Sequence, residues 1–301
     1  MSKASQSEHT NDSQPTLAVA LDSQRERRHR IIFSYQFALG HHRKLRLADW
    51  PWATWLITLI TCEIWCVTAY QVACQEGAQS WQAVLGSMFA LDEDADVLVT
   101  FGAKYTPDIV AGQYWRLLTP IFLHANLLHL GLNMLNFLLL GLIIEHIFGH
   151  LRFVLLYLLT GVISILASLV FASQEVSVGA SGAIFGLVGA YSVFILLHRE
   201  AFRYHGILTI GWLILIIGIN IGLGFVIPGI DNYAHLGGLL SGCLLGWLFA
   251  PFYTDSPAAH TSNGLPAPAD VHSLKRRWPL VLLFIVLTVL SAIIAIHFVG
   301  G

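Results

Sequence analysis

Apolar positions in this chain fall in long unbroken runs, neither alternating as in a strand nor confined to one stripe of a surface helix. Seven runs are almost free of charge: Pro51–Cys74, Leu127–Phe148, Leu151–Ala172, Ser181–Leu197, Gly206–Ile227, Ala234–Phe252 and Pro279–Val299. At about 1.5 Å rise per residue, such runs match a hydrocarbon core about 30 Å thick. Backbone groups in lipid need partners within their own segment, and runs this long meet that need as helices. The pattern predicts an all-α polytopic membrane protein. Residues 1–48 form a polar N-terminal segment, 49–253 a six-helix core with a long loop at 75–118, 254–277 a Pro/Ala/Ser-rich linker, and 278–301 a seventh transmembrane helix.

Composition agrees. Hydrophobic residues make up 55% and charged ones only 11%, against about 25% charged in soluble domains. A net charge of −2 gives no field to recruit nucleic acid, so no such partner is expected. Local charge sets an orientation. With the N-terminus cytoplasmic, fourteen of the sixteen Lys and Arg fall on the inner side, leaving Lys104 and Arg116 outside. That bias predicts a cytoplasmic N-terminus and an outer C-terminus, and it suits a bacterial inner (plasma) membrane. The first apolar run starts near residue 50 and is too long for a signal-peptide core, so no cleaved leader is expected. Residues 25–46 mix seven basic residues with Ile31, Ile32, Phe33, Tyr35 and Phe37. Such a stretch reads equally as a surface helix on anionic lipid or as a solvated linker. Cys62, Cys66 and Cys243 fall within spans and Cys74 at a span end, where they read as small buried packing residues.

Polar side chains inside spans are costly and mark candidate chemistry. Ser181, in "VGASGAIFG", opens the fourth span between Gly179 and Gly182. A helix start offers free N–H groups that can hold an oxyanion, although a serine there is also an ordinary N-cap. In "HANLLHLGLN" His129 and Asn133 lie four residues apart on one face, with His124 at the helix entrance. Those two can serve as oxyanion donors or as interhelical glue. Asn136 continues the stripe and carries no assigned role. In "NYAHLGGLLSGCLLG" His235 shares its face with Gly238, Gly242 and Gly246, and the fourth span has its own small face at Gly182, Gly186 and Gly189. Two glycine-faced helices can approach closely enough to join the Ser181 hydroxyl to the His235 imidazole. With an inner N-terminus, all four polar residues sit at similar depth on the outer side. A serine nucleophile, a histidine base and oxyanion donors follow from that convergence. Only Asp231 lies near enough in sequence to orient His235, so a dyad is expected. Glu63, midway along the first span, is expected to face the interior, hydrogen-bonded or protonated.

These motifs resemble the rhomboid family of intramembrane proteases. "GASGAIFG" is similar to its nucleophile motif, "AHLGGLLSG" to its histidine-glycine motif, "HANLLHLGLN" to its His-x4-His-x3-Asn motif, and "YWRLLTP" to its Trp-Arg loop element. The match covers about residues 50–253 in order and spacing, with the seventh span resembling the six-plus-one variant. The resemblance implies Ser181 as nucleophile, His235 as general base, His129, Asn133 and the Ser181 backbone as oxyanion site, and His124 in support. It gives Trp115 and Arg116 a structural role in the loop. It implies transmembrane protein substrates cut near the outer face, within membrane lipid and without a cofactor or metal. Phe185 stands where several members carry a tyrosine stacked on the histidine. The rivals are a rhomboid-like pseudoprotease or a binding or transport scaffold. A metalloprotease lacks its HExxH signature here.

Overall fold

The computed structural model describes residues 50–75, 95–226, 229–260, 266–270 and 272–301, with isolated positions 77, 80, 82, 83 and 86. The segment 1–48, most of the acidic run at 91–96 and the middle of the linker lie outside the described residues. Nine helices occur among them: α1 Trp52–Gln75, α2 Ala95–Phe101, α3 Thr106–Val110, α4 Leu127–Phe148, α5 His150–Phe171, α6 Ser181–Leu197, α7 Arg199–Leu223, α8 Asn232–Phe249 and α9 Leu274–Gly300. Two 3₁₀ turns, Tyr114–Leu117 and Thr119–Phe122, lead into α4. Two paired strands, Tyr253–His260 and Pro266–Asp270, lie in the linker segment.

The long helices begin and end for local reasons. Asn126 caps α4 by accepting the His129 N–H at 2.7 Å, and Asp231 caps α8 by accepting the Ala234 N–H at 2.9 Å. These are the donors that a helix start leaves without an intrahelical partner. Gly149, at φ +80°, turns the chain from α4 into α5.

Five helices are long and apolar enough to cross a membrane: α1, α4, α5, the Gly206–Leu223 part of α7, and α9. The other two large helices are α6, of 17 residues, and α8, of 18. The brevity of α6 follows from its place. Every residue of α6 from Gly182 to Tyr191 is buried, so its length need not match a lipid layer. It packs against α4, α5, α7 and α8.

The seam between α6 and α8 is made of backbone. A Cβ on Gly238 would overlap the Gly182 carbonyl, one on Gly242 the Gly186 carbonyl, and one on Gly246 would stand 2.5 Å from the Ala190 Cα. Contacts step four residues along both helices in the same direction, so the two run parallel. On its other side α6 presses Gly182 against Ser164 and Gly186 against Thr160 of α5.

Helix α1 packs with one face only, through Ala53, Thr54, Ile57, Thr58, Thr61, Trp65, Thr68, Ala69 and Val72. That face corrects two expectations. Glu63 lies on the opposite side and is exposed, because a step of two residues from buried Thr61 turns it about 200° around the helix. The cysteines are not buried packing residues either. Cys66 and Cys74 are exposed and Cys62 and Cys243 half-buried, all four as free thiols.

The ends of the bundle are tied by polar contacts. Pro51 precedes α1 and has no side-chain acceptor, so the buried Glu145 of α4 caps the helix from outside. Its carboxylate accepts from the Ala53 N–H at 2.9 Å, the Thr54 N–H at 2.7 Å and the Thr54 hydroxyl at 2.6 Å. His150 Nδ1 lies 2.5 Å from the same group. At the same end Arg152 pairs with Asp270 at 2.5 Å, and Arg277 donates to the Leu248 carbonyl. From there α9 lies along α5, and its far end reaches α3, where Gly300 meets Val110.

Candidate active site

Ser181 is the first residue of α6, and the preceding N-cap position is Ala180, which offers no side-chain cap. The hydroxyl is therefore not used as a capping group. Its Oγ lies 2.9 Å from His235 Nε2 across the α6–α8 seam. The His235 ring lies flat on Phe185, centroids 4.4 Å apart and planes 7° from parallel, and is 5% exposed. A ring fixed that way has little freedom to swing from the hydroxyl. For the hydroxyl to donate to Nε2, the imidazole proton must sit on Nδ1. That nitrogen is buried with no hydrogen-bond partner among the described residues, a carboxylate included. Asp231 uses its Oδ1 on the cap of α8.

His129 and Asn133 arrive from α4. Gly179 takes φ +124°, and a Cβ there would lie 2.9 Å from His129 Nε2 and 3.8 Å from Ser181 Oγ. The imidazole tip and the serine hydroxyl thus flank one point on the Gly179 backbone. Only a glycine leaves room for both. Asn133 is buried and donates one amide hydrogen to the His129 carbonyl of its own helix at 2.9 Å. It is not glue between helices in that contact. Asn136 bonds the Leu132 carbonyl in the same way.

His124 is fully buried, and its ring meets His129 edge-on at 5.1 Å. Its Nε2 accepts the Ala180 N–H at 3.4 Å, one residue before Ser181. Burial, with the neighbouring His129 acting the same way, holds its pKa well below the usual imidazole range. His124 is therefore a neutral acceptor that steadies the turn into Ser181.

The loop before α4 supports the same turn. Gly179 N–H donates to the Pro120 carbonyl at 2.9 Å. Arg116 is buried and donates to the Val99 and Ala103 carbonyls and to Gln113, and its guanidinium meets Asp108 at 2.7 Å. Trp115 beside it is 57% exposed. No group of three or more His, Cys, Asp or Glu side chains suited to a metal occurs among the described residues.

Residues 111–252 match the Rhomboid domain family model. Over 150 residues the chain is 45% identical to Rhomboid protease GluP of Bacillus subtilis (strain 168), covering 50% of this chain and 29% of that protein. It is 37% identical over 166 residues to Rhomboid-like protease 1 of Toxoplasma gondii, covering 54% and 56%. RHOMBOID-like protein 5 of Arabidopsis thaliana is 34% identical over 214 residues, 66% of this chain and 68% of that protein. The chain belongs to the rhomboid family. It spans less than half the length of some of its curated relatives, GluP among them.

Two features of this rhomboid were not visible in its sequence. Glu145 carries no role assigned from the sequence, and its burial depends on backbone groups 91 and 92 residues away. Lys104 counts from the sequence only among the outer charges, yet it is fully buried. A Thr-rich start to α1 opposite Gly141, whose Cβ would touch Thr54 at 2.9 Å, is the faint signal for the first.

Proposed function

We propose that this rhomboid is an intramembrane serine endopeptidase that hydrolyses peptide bonds of membrane-protein substrates near the outer face. The observation that carries the reading is the 2.9 Å contact between Ser181 Oγ and His235 Nε2. As Ser181 Oγ attacks the scissile carbonyl carbon, its proton passes to His235 Nε2. The resulting oxyanion takes hydrogen bonds from the Ser181 N–H at the start of α6 and from His129 and Asn133. Collapse breaks the C–N bond, and His235 returns the proton to the leaving amine. Water then attacks the acyl-serine, with His235 again as base, and releases a carboxylate.

The charge bias of the chain supports an inner N-terminus and hence a site at the outer side, as in a bacterial inner membrane. Substrates are then membrane proteins whose backbone can unwind at that level. The test is cleavage of a labelled single-span substrate in detergent by the wild type and by Ser181→Ala. A fluorophosphonate should label Ser181 in the wild type alone. Equal cleavage by the two proteins would end the serine-protease reading.

A further inference from the structure

The mechanism above leaves several buried charges unused, Lys104 among them. Lys104 lies in the loop between α2 and α3, is 0% exposed, and carries the only described ammonium that is fully buried. Its Nζ donates to the Ala172 carbonyl at 2.5 Å and to the Glu175 carbonyl at 2.8 Å. Its backbone forms an antiparallel bridge with Ser177, in both directions, at 3.0 and 3.2 Å. Thr106, two residues on, donates to the Ser173 carbonyl at 2.5 Å. Residues 172–180 are the connection from α5 to α6, and they end at Ser181. The lysine thus holds both the start and the middle of the strap that delivers the nucleophile.

Burial lowers the proton affinity of this ammonium, while the Asp231 and Glu175 carboxylates favour its charged form.

We propose that Lys104 is a positioning residue for Ser181. Its hydrogen bonds fix the strap that ends in Ser181. It touches neither substrate nor reacting atoms. The inference rests on the serine-protease reading of the site.

The experiment compares wild type with Lys104→Met, Lys104→Gln and Lys104→Arg, each assayed per folded molecule in detergent. The readouts are kcat, KM and the rate constant for fluorophosphonate labelling of Ser181. A misplacement of about 1 Å can cost about 100-fold, so Lys104→Met should lose about 10- to 100-fold in kcat and in labelling rate with KM changed less than about twofold. Lys104→Arg should recover part of both rates. Wild-type kcat and labelling in folded Lys104→Met would overturn the proposal, as would a loss confined to KM. Should Lys104→Met not fold, Lys104→Gln is judged by the same criteria. Failure of both to accumulate folded protein would assign Lys104 to folding in general and overturn the positioning role. Failure of the wild type itself to be labelled would instead refute the protease reading, so the two failures are distinct.

Discussion

At the residue scale, the site is two side chains whose alternatives are closed off. Phe185 lies on one face of His235, and Ser181 has no cap to make. Ser181→Ala and His235→Ala should each abolish cleavage in protein that is still folded, read by substrate cleavage and thermal unfolding of the same sample. His129→Ala should lower kcat by about 10²–10³-fold, the usual cost of one preorganised oxyanion donor, while moving KM little. A change in KM alone would make His129 a substrate contact. Asn133→Ala should behave likewise through its amide hydrogen not engaged with the His129 carbonyl. These residues were legible in sequence because each is a costly polar group inside an apolar run. Glu63 was misread for a related reason. Cost predicts that a polar residue needs a partner, but only packing decides which face of α1 is inside.

At the element scale, the spans could be read from their lengths, and the α6–α8 seam from its glycines. What the sequence did not contain was how close the seam is. Gly238 and Gly242 meet carbonyl oxygens of α6, with no side chain between to yield. Gly238→Val should therefore separate the helices and reduce activity per folded molecule about 100-fold, besides the roughly 1–3 kcal/mol that overpacking costs. Gly246 meets Ala190 eight residues further along α8, about 12 Å from the Gly238 level. Gly246→Val should lower the unfolding temperature more than the specific activity. Equal specific activity in Gly238→Val and wild type would mean that the glycines do not set the Ser–His distance.

At the scale of the whole molecule, the end of the bundle away from the dyad has its own fastening. Glu145 stands sixteen residues beyond His129 on α4, about 24 Å along the helix. It supplies the cap that Pro51 cannot, and its loss would leave the Ala53 and Thr54 donors buried without partners. Glu145→Ala should destabilise the protein by roughly 1–3 kcal/mol or more and leave kcat per folded molecule near wild type. Denaturation of the variant in detergent, alongside its specific activity, checks both halves. Contacts like these are formed with backbone groups far away in the chain, which have no residue identity. That is why motif and periodicity point to Ser181 and His235 but not to contacts like these. Orientation is tested separately: a cysteine placed near residue 110 should react with a membrane-impermeant reagent from the outside, and one near residue 262 should not.

Burial of α6 from Gly182 to Tyr191 also separates the chemistry from the mechanics of the bilayer. Outward faces belong mainly to α1, α4, α7 and α9, while α8 shows the edge of Tyr233, Leu236, Leu240, Leu244 and Trp247 and α6 only Leu196 and Leu197 at its far end. A thicker or thinner lipid layer changes the tilt of exposed helices at modest cost. It has little grip on the buried stretch of α6, which direct backbone contacts tie to the head of α8. Reaction of Ser181 with a small water-soluble phosphonate should therefore vary less than about twofold across bilayers of different acyl length. Cleavage of a spanning substrate, which must itself fit the layer, should vary with that thickness far more.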